Sequence, residues 1–335
     1  MSDTPVTSSL VKLATLYKDD IKSQLNRAAT TLSILPSKRG SNTISWVVEF
    51  DGAVVANHAE GSTISDFGGD AQVAASLSYG RFESGIHVTD EALAKAAASA
   101  NPAGNVELWA KQLINSSRKM GSDINAQLFG GTTSNGLVGF NTAIGSTTNQ
   151  YAGIDRSDSA YAAWRPYVAA PGSATALTKA LVREDLAQIK VSSGERPNLA
   201  VCHPSVFKKV LETFDVQRQY QTLTTSVGRV ALGESALETV MIEGCMFVED
   251  KDGYADATAG GTIYYLNTNF VYTTTLPYTA PLGVEGRLMS DGLPFDFDYI
   301  RLAKTAHASK AAVRNMIQLV VEKPNTCGVR KNVQL

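Results

Sequence analysis

Several residue clusters carry side chains that could do chemistry. Asp296 and Asp298 alternate within a run of strong β formers, so they face the same way and could serve as paired carboxylates. Phe295, Phe297 and Tyr299 fall on the opposite face, which makes an ordinary two-faced strand the simpler account. Asp250, Asp252 and Asp256 flank a glycine as calcium ligands do. Tyr254 stands where such a loop needs an oxygen, however, so a solvated turn is expected. Gly130 to Gly139 is glycine-rich, but no Lys-Ser or Lys-Thr follows, and a turn between domains is expected rather than a phosphate cradle. Cys202 and His203 are adjacent, not at ligand spacing, and fit the end of a core strand. His58, His87 and His307 are dispersed. No GxSxG, HExxH, Walker A or EF-hand pattern occurs. The three tryptophans and twelve tyrosines are not interleaved with Lys/Arg, as a single-strand nucleic-acid platform requires. No catalytic, cofactor-binding or metal-binding residue is assigned, and no enzyme activity is expected.

The elements are more informative. Asn105 is a good N-cap, and Glu107 suits the positive end of a helix. Trp109, Leu113, Met120, Ile124 and Leu128 then form one apolar stripe. Gly130 and Gly131 end it, through the left-handed conformation that glycine adopts cheaply. A helix from Val106 to Phe129 would be roughly 36 Å long. Its single narrow stripe, flanked by Ser116, Ser117, Gly121 and Ala126, suits a spine laid along a sheet. Upstream, Leu10, Leu13, Ala14, Tyr17, Ile21, Leu25 and Ala28 predict an amphipathic arm helix that needs a surface to lie on. Residues 43–50 read as a strand, Asp51-Gly52 as a hairpin turn and 53–56 as the partner strand. Glycine punctuation follows, and Val73, Leu77, Tyr79 and Phe82 resume the extended pattern.

Beyond the spine, Trp164–Val168 reads as a short strand and Leu177–Lys190 as a helix. Asn198–Cys202 is a buried strand leading into a helix with Pro204 near its start. A helix-to-strand step ends at 240–249, residues 262–267 form a further strand, and the runs 295–303 and 312–325 are strand-like.

At 335 residues and 44% hydrophobic, the chain can bury a substantial core as one large domain or two modest ones. Charged residues are only 19%, which suggests that partner subunits cover part of the surface. Residues 1–40 carry six Lys/Arg against three Asp/Glu, and residues 301–335 carry seven against one. With a net charge of −2, the intervening body stands at −11. Basic ends on an acidic body suit nucleic acid or a neighbour's acidic face. Three widely spaced cysteines, Cys202, Cys245 and Cys327, argue against a disulfide framework and for a reducing compartment. No signal peptide or apolar run of membrane-spanning length is read.

Leu128-Phe129-Gly130-Gly131, a polar linker, then Gly136-Leu137-Val138-Gly139-Phe140-Asn141 resembles the step from spine helix to axial domain in major capsid proteins of tailed bacteriophages. Val88-Thr89-Asp90-Glu91 is similar to the opening of that family's first peripheral helix. The strand, Pro204 and Phe207 helix unit resembles its axial domain, and the closing Lys323-Pro324-Asn325 its last peripheral strand. The resemblance implies an α+β fold of the Hong Kong 97 type: arm 1–40, extended loop 41–87, peripheral domain with spine helix 88–131, axial domain 132–284 and peripheral C-terminal strands 285–335. It also implies a structural role. Copies would form pentamers and hexamers and close into an icosahedral shell around double-stranded DNA held by non-specific contact, with no membrane. Leu13 and Tyr17 on the arm, and Trp46 and Phe50 on the loop, are the expected intersubunit contacts. Some members crosslink through a loop lysine. Residues 41–87 contain none, so no such bond is expected. A separate scaffolding protein and a portal are expected, and a decoration protein is a further candidate partner. The rivals are an encapsulin-like compartment shell, a hydrolase using Asp296 and Asp298, and an adhesin or tail component.

Overall fold

The computed structural model describes residues 30–50, 60, 72–91, 104–131, 135–214, 239–256, 258, 260–276, 287–288, 297–306 and 308–335. The expected arm helix, the Asp51-Gly52 turn and its 53–56 partner, and the first peripheral helix beyond Glu91 lie outside the described residues.

A short helix α1 (Thr30–Ile34) and strand β1 (Ser37–Arg39) open the described chain. β2 (Ile44–Glu49) and β3 (Gln72–Leu77) form a two-stranded antiparallel ribbon, and β4 (Gly80–Thr89) follows. The partner of β2 is therefore 72–77, with Ile44 opposite Leu77 and Glu49 opposite Gln72. The alternation of Val73 and Leu77 carries that pairing, because their inner faces meet Ile44 and Val48.

The spine helix α2 spans Gly104–Phe129. Asn105 lies inside its first turn instead of capping it. Met120, Ile124 and Leu128 are buried, as the stripe requires, and full burial of each of the last two contributes about 1.5–3 kcal/mol. The helix lies against β4 and the long strand β16 described below, and Ser116 and Ser84 hydroxyls meet at 2.7 Å across that contact.

Neither Gly130 nor Gly131 is left-handed, which corrects the expected stop. The glycine the helix end requires is Gly139, where an added Cβ would overlap the carbonyl oxygens of Gln127, Leu128 and Gly130. It leads directly into α3 (Phe140–Ala143), and Asn141 N donates to Gly130 O at 3.2 Å.

A small hairpin, β5 (Gln150–Tyr151) and β6 (Ile154–Asp155), precedes a 3-10 turn over Ser159–Trp164. Trp164 thus closes a turn, and the expected strand begins only at β7 (Tyr167–Ala169). Helix α4 (Lys179–Ser193) is capped by Thr178 and stopped by left-handed Gly194. β8 (Leu199–Cys202) is fully buried and runs into α5 (Pro204–Phe214). The 240–249 stretch is a hairpin of β9 (Thr239–Ile242) and β10 (Cys245–Glu249), turned at Glu243-Gly244 with positive φ at both.

β11 (Ala255–Asp256), β12 (Gly260–Leu266), β13 (Val271–Thr275), β14 (Arg287–Leu288), β15 (Phe297–Ala306), β16 (Ala308–Val321) and β17 (Gly328–Val333) complete the chain.

Two sheets result. One runs β1-β13-β16-β15-β14, with β4 also on β16. The other runs β7-β17-β12-β8-β10-β9, with β11 on β12. The second sheet is covered on both faces. Ala200, Cys202, Phe247, Ile263 and Tyr265 pack with α4 and α5, while Leu199, Val201, Tyr264 and Leu266 join the core around the spine end.

Strands cross between the sheets. The 132–284 tract lends β13 to the spine's sheet, and the 285–335 tract lends β17 to the other. The crossings run side by side, because β12 neighbours β17 while their continuations β13 and β16 also pair, and Glu322 N donates to Phe270 O at 3.0 Å between them.

Candidate assembly surfaces

The base of the arm is held by one carboxylate. Asp250, 1% exposed, accepts from Thr31 N at 2.8 Å, Thr31 Oγ1 at 2.6 Å and Asn125 Nδ2 at 2.9 Å. Asn125 Oδ1 in turn accepts from Leu32 N at 3.2 Å. Arm base, spine and the turn after β10 thus meet in a single buried network, where each hydrogen bond to charge contributes about 1.5–3 kcal/mol. Both Asp250 oxygens are occupied by protein donors, so at Asp250 the expected solvated turn is instead a buried junction. Among the described residues no group of three or more His, Cys, Asp or Glu is placed to hold a metal.

The ribbon leaves the body through a second clamp. Gln318, 1% exposed on β16, donates from Nε2 to Ser78 O at 2.5 Å and accepts Val138 N on Oε1 at 2.9 Å. One side chain therefore fixes both the ribbon's exit and the glycine turn after the spine.

Of the four expected intersubunit contacts, Leu13 and Tyr17 lie outside the described residues. Trp46 and Phe50 are described, and both are half-buried against their own chain. The Phe50 ring lies 4.6 Å from Tyr161 and 6.1 Å from Trp164, and Trp46 lies 6.5 Å from Tyr151. Tyr151 in turn lies 5.8 Å from Trp164. Trp164 Nε1 donates to Glu322 O at 3.1 Å, and Tyr151 OH accepts Val321 N at 2.9 Å, so the aromatic group is anchored to the end of β16. The outer face of the ribbon, Ser45, Val47, Glu49, Gln72, Ala74 and Ser76, is exposed, with Val47 at 65%.

Two buried arginines were missed by sequence reading. Arg156, fully buried, donates to the carbonyls of Thr142, Ala143 and Asn149, and its desolvation lowers the guanidinium pKa to about 10. Arg330 forms a two-pronged pair with Asp185, which also accepts from Tyr167 and Tyr265. These are fold-internal and touch no open surface. Asp296 lies outside the described residues. Asp298 stands in register opposite Arg287 and Arg314 at the level of the backbone, a cross-strand position between cations. No helix among the described residues is long and apolar enough to cross a membrane.

Comparison with solved structures shows the fold. The chain is similar to the capsid asymmetric unit of cyanophage A-1(L), with 16% identity and a TM-score of 0.68 over 94% of this chain and 93% of that one. The capsid of a native GTA particle gives 13% identity and a TM-score of 0.58 over 91% and 90%. The holo-SrpI encapsulin complex from Synechococcus elongatus gives 10% and 0.56 over 91% and 87%. No curated protein sequence matches. A family model described as the SU10 major capsid protein matches residues 2–252, most of the length, and the chain belongs to that family: it is a major capsid protein with the Hong Kong 97 type fold.

Proposed function

We propose that copies of this chain associate into pentamers and hexamers and close into the icosahedral shell of a phage head around double-stranded DNA. The observation that carries this reading is the capsid-family match over residues 2–252. Heterologous contacts, in which one patch meets a different patch on the next copy, close rings. Many modest contacts per copy make the lattice far stronger than any pair. Leu13, Tyr17, Trp46 and Phe50 are the contacts assigned to the arm and loop. Assembly takes place in the host cytoplasm with a scaffolding protein and a portal, and a decoration protein would bind the finished shell. The role is structural and not enzymatic.

Electron microscopy of particles recovered from lysed host cells, where scaffolding protein and portal are present, tests this. Closed shells with nuclease-protected DNA are expected, whereas monomers only, or open fibres, would overturn it. The likeness to an encapsulin supports a second reading, a compartment shell. Particles that enclose protein cargo and no nucleic acid would favour that one.

A further inference from the structure

The two strands of the ribbon have unlike edges. β3 gives its outer edge to the β5–β6 hairpin, where Ser76 N donates to Ala152 O at 3.0 Å. In an antiparallel pair, directly opposed residues turn their N–H and C=O groups either both toward the ladder or both away from it. Ser76 turns away, so its partner Ser45 does too, and so do Val47 and Glu49 at the same parity. Among the described residues, no backbone bond reaches Val47 or Glu49 from outside the ribbon.

A cleft of about 640 Å³ lies there. One wall is the unbroken run 46–50, and Ala163, Trp164, Lys323 and Asn325 stand across it. Side chains alternate along a strand, so consecutive residues share one space only when that space follows the strand's edge. Two buried polar atoms on the lining residues have no partner: Trp46 Nε1, a donor, and Asn325 Oδ1, an acceptor. Leaving such groups unpaired costs about 1–3 kcal/mol each. The outward N–H and C=O groups of Val47 and Glu49 are what another extended backbone pairs with.

We propose that this cleft is a strand-addition site, filled in the assembled shell by an extended segment of a second copy of this chain. The proposal rests on the capsid reading, under which other copies are the neighbouring surface. Charge agrees with that occupant. Glu49 and Glu322 line the cleft beside Lys323, while residues 1–40 carry six Lys/Arg against three Asp/Glu. Main-chain bonds to Val47 and Glu49 supply the affinity, and the Trp46 and Trp164 rings wall the added strand.

The test compares hydrogen exchange in shells and in unassembled subunits. Val47 and Glu49 amides are expected to slow at least about tenfold on assembly, as added pairing requires. Val47→Pro deletes one edge donor and spares the β2–β3 ladder. It should raise the concentration for half-assembly about tenfold, a shift of about 1.4 kcal/mol, with the subunit's thermal midpoint unchanged. Val48→Pro removes a ladder donor and should lower the subunit midpoint instead. Shells that form with these amides still fast, or Val47→Pro assembling at the wild-type concentration, would overturn the proposal alone. Protection that appears only after a different protein is added would overturn the second copy as occupant. A wild-type chain that forms no shells even with the scaffolding protein present removes the proposed shell and this proposal together.

Discussion

Asp250 shows how much one buried side chain can organise. Removing its carboxylate leaves Thr31 N, Thr31 Oγ1 and Asn125 Nδ2 without their acceptor in a site closed to water. Asp250→Ala should therefore cost about 2–4 kcal/mol, read as a lower denaturant midpoint of unassembled subunits at unchanged slope. Asn125→Ala should cost less alone, and the double variant should cost less than the sum, because both belong to one network. Nothing local announced this. Asp250 sits in an Asp/Gly-rich turn that reads as solvated, and its partners lie 219 and 125 residues away in sequence. Arg156 is the same kind of case, since an arginine satisfied by backbone carbonyls alone has no charged partner to betray it.

At the scale of elements, the periodic ones were legible. The spine, α5 and the β15–β16 hairpin follow from stripe spacing, Pro204 and runs of β formers. Pairing was less legible, because the Asp51-Gly52 signal competes with a partner strand more than twenty residues on, and only packing against the body chooses between them. The packing at the end of the spine rests on another glycine than the one expected. It depends on close approach at Gly139, not on a left-handed Gly130. Gly139→Ala should thus destabilise the subunit by about 1–3 kcal/mol, while Gly131→Ala, whose Cβ would meet, among the described residues, only the Thr142 hydroxyl at 3.7 Å, should be tolerated. Thermal unfolding of the two variants side by side reads the difference.

The molecule as a whole should be weakened by alkali. Burial pushes the Cys327 thiol up to about 11 and Tyr264 up to about 12, and raises Cys202, Cys245, Tyr151 and Tyr265 as well. Each group holds its proton longer folded than unfolded, so its contribution is complete below the unfolded value and is lost as pH rises through the folded one. For the thiols that window opens near the ordinary value of 9.0, and for the tyrosines near 10.0. The thermal midpoint should fall as pH climbs through this range. In the same proteins, a thiol reagent at about pH 8 should label none of the three cysteines before denaturation and all three after it.

The paired crossings between the sheets have a mechanical consequence. A load that draws the two sheets apart meets two covalent strands in parallel, β12 into β13 and β16 into β17, laced together by the Glu322–Phe270 bond. Such a tile resists inflation by stretching its own backbone instead of unzipping a seam, so a shell built from it should yield at the joints between tiles before any single tile tears.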